Sequence, residues 1–356
     1  EILNTMFRNQ SIGIIHGPAG TGKTKVLEVL SMIFTGYSKI FLSNTNTAVE
    51  NLRARISGID LFNSTFKTVA NYTKYDENNY DILIIDECSM ISNNDMLKVL
   101  KKQDYKLVIL AGDVFQIESI KYGNWFSLSY YLFKNVFVYE LMHTNRTEDK
   151  DLLELWKMVR DNDDNALNKI NSQQYSSVID FKEIFNKRDS DEIILCLNYD
   201  GLYGINNINH FLQENNTGKE IRRGIQRYKV GDPILFNDSA DMFFETKDGK
   251  NPVIHNNMKG KIVDFRFVEY EKATERIQFD IELEKPLMDL NEENLNFQIV
   301  GISDNGNSII RFEVYKNKST DEDDENNSKT IVPFQVAYAV SIHKAQGLEY
   351  DSVKII

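Results

Sequence analysis

Eight consecutive residues, Gly17-Pro18-Ala19-Gly20-Thr21-Gly22-Lys23-Thr24, have the types and spacing to hold a polyphosphate. A triphosphate carries several negative charges and needs many donors at close range. Glycines let the backbone curl until its N–H groups point inward. The apolar run Ile12–Ile15 precedes the loop and a helical pattern, Lys25–Phe34, follows it. The helix therefore turns its positive dipole end toward the phosphates. Gly17, Gly20, Thr21 and Gly22 would shape the cradle, Lys23 would reach the β- and γ-phosphates, and the Thr24 hydroxyl would take a place on Mg²⁺.

Three further constellations fit hydrolysis. Ile82-Leu83-Ile84-Ile85 is an apolar run ending in Asp86 and Glu87. A carboxylate at the end of a buried strand costs on the order of several kcal/mol unless a cation or donors meet it. Mg²⁺ at the phosphate loop supplies that cation; Asp86 would hold it and Glu87 would orient and deprotonate an attacking water. A third run, Leu107–Ala111, leads to Gly112-Asp113, with Gln116 three residues beyond. A neutral amide there can sense a γ-phosphate through hydrogen bonds without adding charge. Arg146 follows in Thr144-Asn145-Arg146. An arginine that reaches a γ-phosphate is worth several orders of magnitude in rate.

The elements that must position these groups are legible as patterns. Strand-like runs at Ser11–His16, Lys39–Ser43, Asp81–Asp86, Leu107–Ala111 and Val136–Leu141 alternate with helical stretches such as Thr47–Ile56 and Asn94–Lys101. That alternation predicts a parallel sheet covered by helices, with ligands at the carboxyl ends of its strands. The pattern restarts near Thr144, with a helix over Leu152–Val159, a strand over Glu192–Leu197 and a helix over Ile205–Glu214. Residues 227–331 change to short β-rich runs bounded by Gly and Asn turns, the texture of a small barrel. Asp321–Glu325 reads as a solvated acidic loop. Strand–loop–strand texture returns from Gln335 to Ile356.

Composition narrows the class. The chain has 356 residues, enough for two or three domains, and 42% of them are hydrophobic. No apolar run approaches the ~18 residues that a membrane-spanning helix needs. Cys88 and Cys196 are the only cysteines and sit in apolar contexts, which fits a cytoplasmic protein better than a disulfide scaffold. Five scattered histidines offer no zinc pattern. A net charge of −12 means that any nucleic acid is held in a local groove and not by global attraction.

Taken in order, these strings resemble superfamily 1 helicases of the RecD-like branch, superfamily 1B. The resemblance rests on GPAGTGKT at 17–24, SNTNTAVENL at 43–52, STFKTVANY at 64–72, LIIDECSM at 83–90, LAGDVFQIESI at 110–120 and AYAVSIHKAQGLEYD at 337–351. NYDGLYGINNINHFLQ at 198–213 resembles part of that branch's second RecA-like domain; RYKVGDPILF at 227–236 and NNMKGKIVDF at 256–265 resemble its inserted SH3-like barrel. The implied architecture is α/β, two RecA-like P-loop domains with an inserted SH3-like β-barrel. Residues 1–142 would form the first domain, 143–226 with 332–356 the second, and 227–331 the insert.

The resemblance implies ATP and Mg²⁺ as cofactors and single-stranded DNA, with RNA as an option, as partner. The motor would move 5′ to 3′. Lys23, Asp86, Glu87, Gln116 and Arg146 would carry catalysis, Arg146 as arginine finger. Gly347 and Glu349 would join the nucleotide site. Asn46, Thr65, Ser341, His343, Lys344 and Gln346 would meet the strand. Aromatic faces at Tyr72, Tyr75, Tyr80 and Phe115 are candidates for base stacking, worth about 1–3 kcal/mol each. Ser341 stands where many relatives have Thr, and Val114 where many have Pro. Ala70–Tyr80 has room for only a stub of a strand-splitting pin. The motif that supplies a second arginine is expected beyond Ile356, an adenine-reading glutamine before Glu1, and nuclease or other domains in a longer protein. The rival reading is a nucleotide switch that binds nucleic acid without processive unwinding.

Overall fold

The computed structural model describes the chain outside residues 1–10, 57–62, 117–118, 120, 134–137, 145–146, 174–191, 238–242, 247–248, 271–273, 288–296, 317–330, 346–347 and 349. Arg146, Gln346, Gly347, Glu349 and the acidic loop 321–325 lie outside the described residues. The chain forms two compact units, Glu1–Val178 and Ile179–Ile356.

In the first unit the elements run β1 (Ile12–His16), α1 (Lys23–Ile33), β2 (Lys39–Ser43), α2 (Asn46–Ile56), β3 (Ser64–Thr68), α3 (Val69–Tyr75), β4 (Ile82–Ile85), α4 (Asn93–Lys102), β5 (Leu107–Gly112), α5 (Trp125–Phe133), β6 (Val138–Glu140), α6 (Lys150–Arg160) and α7 (Ala166–Ser172). The six strands make one parallel sheet in the order β3-β2-β4-β5-β1-β6. β2 and β4 are buried along their whole length, as strands covered on both faces must be. Successive side chains alternate between two cores. Ile14, Leu42, Leu83 and Ile85 meet Val69 and Tyr72 of α3 and Met96 and Val99 of α4. Ile15, Phe41, Ile84 and Ile109 meet Leu27 and Leu30 of α1 and Val49 and Leu52 of α2. The expected alternation is present, with β3 as a further strand that the runs did not show.

α6 and α7 belong to the first unit, although the restart of the pattern near Thr144 assigned this stretch to the second. Two polar ties account for it: Thr144 Oγ1 donates to Ala19 O at 3.1 Å and Arg160 pairs with Asp113 at 2.8 Å. Asp149 caps α6 by accepting from the N–H groups of Asp151 and Leu152.

The second unit runs β7 (Glu192–Cys196), α8 (Ile205–Asn215), β8 (Glu220–Arg223), β9 (Gln226–Lys229), β10 (Pro233–Phe236), β11 (Phe243–Thr246), β12 (Gly249–Pro252), β13 (Lys259–Tyr270), β14 (Thr274–Leu283), β15 (Gln298–Ile302), β16 (Ser308–Tyr315), β17 (Phe334–Val336), β18 (Ala339–Ser341), α9 (Ile342–Ala345) and β19 (Ser352–Ile355). Its parallel sheet is β18-β7-β19. The Asn209 side chain of α8 pairs with both backbone groups of Ala339, at 2.9 and 2.8 Å. The β-rich stretch is an antiparallel sheet in the order β15-β16-β14-β13-β10-β17 around Phe236, Phe279, Phe312 and Phe334. Neither edge strand is an apolar parallel run, and the alternating burial of β16 marks a sheet with one face on the core.

Asp232 joins the two parts of this unit. It is fully buried and accepts from Gln213 Nε2 at 2.5 Å, Asn216 Nδ2 at 2.7 Å, Tyr338 Oη at 2.8 Å and the Lys229 N–H at 2.7 Å. Asp232→Ala takes away an acceptor that all four donors share, while Gln213 and Asn216 keep weaker ties to Arg227 O and Val230 O. It is expected to cost about 3 kcal/mol, read as a shift in the urea midpoint of unfolding.

Candidate functional site

The carboxyl ends of β1, β4 and β5 bring the sequence-predicted residues together. The register pairs His16 with Gly112, and the Gly17 N–H donates to Gly112 O at 3.2 Å, so the loop leaves the sheet beside β5. A Cβ on Gly17 would stand 2.6 Å from Leu141 O, closer than a side chain tolerates. Gly20 and Gly22 take φ of 76° and 88°, the left-handed region that glycine enters at no steric cost. Thr21 Oγ1 donates to Pro18 O at 2.8 Å and ties the loop across itself.

Lys23 opens α1 and folds back, its Nζ donating to Gly17 O at 2.7 Å and Pro18 O at 2.9 Å. Burial lowers its pKa, against the attraction of Asp86, Asp113 and Glu87. Thr24 Oγ1 donates to Asp86 Oδ2 at 3.2 Å, a bond between residues 62 positions apart. Burial pushes the Asp86 carboxyl up, opposed by the Glu87 N–H, Lys23 and Thr24. Glu87 takes φ 56° and ψ 44°, left-handed without being glycine, where strain often marks function. Burial, and then the charge of Asp86, push its carboxyl up to about 7. Its Oε2 is buried with no hydrogen-bond partner among the described residues.

These observations test the fit of a nucleotide with Mg²⁺. Two carboxylates face one ammonium, and Ser43 Oγ and Ser89 Oγ are buried with no hydrogen-bond partner among the described residues. No group of three or more His, Cys, Asp or Glu could hold a metal among the described residues. Thr24 and Asp86 nevertheless suit Mg²⁺, which is commonly held by one or two protein oxygens with phosphate and water completing its shell.

Gln116 follows β5 in a turn, its N–H donating to Asp113 O at 3.2 Å. Asp113 is only 3% exposed. It accepts from Arg160 Nη1 at 2.8 Å and from the Phe115 N–H at 3.1 Å, with His16 Nε2 at 3.6 Å. Burial would raise its pKa, but His16, Arg160 and the Phe115 N–H together hold it below the usual range. The sequence named neither His16 nor Arg160. Arg160 stands 47 residues from its partner, with no local pattern to mark it.

The predicted strand-binding residues are placed unevenly. Asn46 starts α2 at the carboxyl end of β2. Thr65 is not brought to that edge: it pairs with Ile40, three residues below Ser43, and its side chain bonds Tyr80. Thr68 holds the edge position and caps α3 by accepting from the Asn71 N–H. Tyr72 and Tyr80 are core residues; Tyr72 bonds the Tyr105 hydroxyl at 2.6 Å and Tyr80 donates to buried Asp76. Tyr75 and Phe115 are exposed.

In the second unit Ser341 is buried at the end of β18 and its Oγ accepts from the Lys344 N–H. His343 is exposed. The Lys344 ammonium is engaged within the fold, bonding Asn237 Oδ1 at 2.9 Å and Gln335 Oε1 at 2.7 Å, and burial lowers its pKa. A cavity of about 670 Å³ in this unit is lined by Glu192, Asn216, Lys259, Glu282 and Tyr350 among others, and by none of the predicted residues. No helix among the described residues is long and apolar enough to cross a membrane.

Residues 1–180 match a family model described as AAA domain. An uncharacterised protein of Methanocaldococcus jannaschii is 23% identical over all of this chain and 35% of its own length. The RecBCD enzyme subunit RecD of Buchnera aphidicola is 23% identical over 96% of this chain and 59% of its own length. The chain thus spans about a third and somewhat over half of these relatives. A crystal structure of Bacteroides Pif1 bound to single-stranded DNA superposes with a TM-score of 0.53 at 16% identity, over 99% of this chain and 84% of that one. The chain shares its fold with that structure.

Proposed function

We propose that this chain, which belongs to the AAA domain family, is the ATP-driven motor core of a superfamily 1B helicase or translocase acting on single-stranded nucleic acid. The observation that carries the reading is the meeting of Lys23, the Thr24–Asp86 bond and the unpartnered Glu87 oxygen at one edge of a parallel sheet. ATP with Mg²⁺ would be held there by the backbone of Gly17–Gly22, by Lys23, and by Thr24 and Asp86 on the metal. Bound Mg²⁺ supplies charge neutralisation for the γ-phosphate. Glu87 orients the attacking water and accepts its proton, and Gln116 reports on the γ-phosphate.

The bound strand is read as DNA because the RecD and Pif1 proteins similar to this chain are a RecBCD subunit and a protein solved on single-stranded DNA. The direction taken is 5′ to 3′. Asn46 and Thr68 at the sheet edge, with Ser341 and His343, are read as backbone contacts that position without reading bases. Residues 227–331 are read as the SH3-like insertion.

Oligothymidylate is expected to raise ATPase turnover severalfold, and the effect to fall with added salt, since phosphates dominate such contacts. ATP binding with no stimulation by strand would favour the nucleotide switch instead. Arg146→Ala is expected to lower turnover by about 10³-fold, with nucleotide affinity changed little. A large affinity loss with normal turnover would remove Arg146 from the finger role.

A further inference from the structure

We propose that Arg160 is a positioning residue that locks the Asp113–Gln116 turn and so sets how strongly a bound strand drives hydrolysis, an inference that rests on the motor reading above. The turn carries Gln116, which must be fixed if it is to couple strand and γ-phosphate. Three backbone amides of the turn are tied to Asp113 and to His16 beside it. The Val114 N–H donates to His16 Nε2 at 3.3 Å, the Phe115 N–H to Asp113 Oδ1 at 3.1 Å, and the Gln116 N–H to Asp113 O at 3.2 Å. Every amide of the turn after Asp113 is therefore bonded to Asp113 or to the histidine beside it.

Asp113 holds this arrangement only while its own charge is met. Arg160 Nη1 meets it at 2.8 Å on Oδ2, the oxygen that the Phe115 amide leaves free. The same guanidinium lies over the Phe115 ring, 4.2 Å from its centroid. Phe115 is 55% exposed, so few other groups hold it. A planar cation can pair in its plane and stack on its face at once; an ammonium can do only the first. Arg160 is the last residue of α6, a helix fixed at its other end by the Asp149 cap and braced by Lys169, which bonds Asp151 and Glu154 at 2.8 Å. The turn is thus held from a second element, not only by its own strand.

The test uses the full chain with Arg160→Ala and Arg160→Lys, folding being checked by thermal melting. Without ligands, amide hydrogen exchange at Val114, Phe115 and Gln116 is expected to quicken about tenfold in Arg160→Ala and by less in Arg160→Lys, which keeps the charge and loses the ring contact. Unchanged exchange at these three amides in Arg160→Ala overturns the lock. With oligothymidylate, Arg160→Ala is expected to lower kcat about tenfold while the KM for ATP stays within about twofold, and Arg160→Lys to recover only part of the rate. A raised KM with kcat preserved overturns the positioning role. A wild type that oligothymidylate does not stimulate overturns the motor reading and the coupling half of the proposal, while faster exchange in Arg160→Ala still supports the lock.

Discussion

Lys23→Ala is expected to abolish ATP turnover, with kcat falling by about 10³-fold or more, and to weaken nucleotide binding at the same time. The ammonium stands between the loop carbonyls of Gly17 and Pro18, within the electrostatic reach of Asp86, Asp113 and Glu87. It is a positive charge that offsets Asp86 and Glu87 before any ligand arrives. Its removal leaves Asp86 and Glu87 facing the triphosphate with the metal alone to neutralise them. The loop itself should survive, because its shape rests on Gly20 and Gly22, on the Thr21–Pro18 bond and on the Gly17–Gly112 bond, none of which involves Lys23. A melting curve close to wild type with no turnover is the expected pair of results. Turnover unchanged at saturating ATP would sink the nucleotide-site assignment.

Local patterns carried more of the first unit than of the second. The phosphate loop and the acid pair each lie within eight residues, and β4, which leads to the acids, is apolar from end to end because both of its faces are covered. Such signals survive in sequence because short backbone segments produce them. β3 was missed as a strand because Ser64-Thr65-Phe66-Lys67-Thr68 sits at the sheet edge and buries only Phe66 fully. That register, not the residue types, decided that Thr68 and not Thr65 reaches the carboxyl end of the sheet. Lys344 looked available for a phosphate, yet it bonds Gln335 nine residues before it and Asn237, 107 residues away just past β10. The His16–Asp113–Arg160 cluster has the same character: three unremarkable residues, made into one unit only by the sheet register and the end of α6.

Glu87→Gln should separate binding from hydrolysis. The amide keeps the size and one oxygen of the carboxyl but cannot take a proton from water. Turnover is expected to fall by about 10²–10⁴-fold, with nucleotide affinity retained or slightly raised because one acid fewer faces the triphosphate. Metal-free stability gives a second, independent readout. The folded protein holds the Glu87 proton up to about pH 7 because of burial and of Asp86, against an ordinary value of 4.5 for a glutamate. Below pH 4.5 folded and unfolded chains are both protonated, so the group contributes no slope there. Between those values the folded chain binds the proton and the unfolded chain does not, so stability falls as pH rises. Wild type is therefore expected to lose on the order of 2–3 kcal/mol across that window, and Glu87→Gln, with nothing to titrate, to lose correspondingly less. Parallel pH profiles for the two proteins would show that Glu87 ionises as freely as a surface acid, and the water-activating role would lose its physical basis.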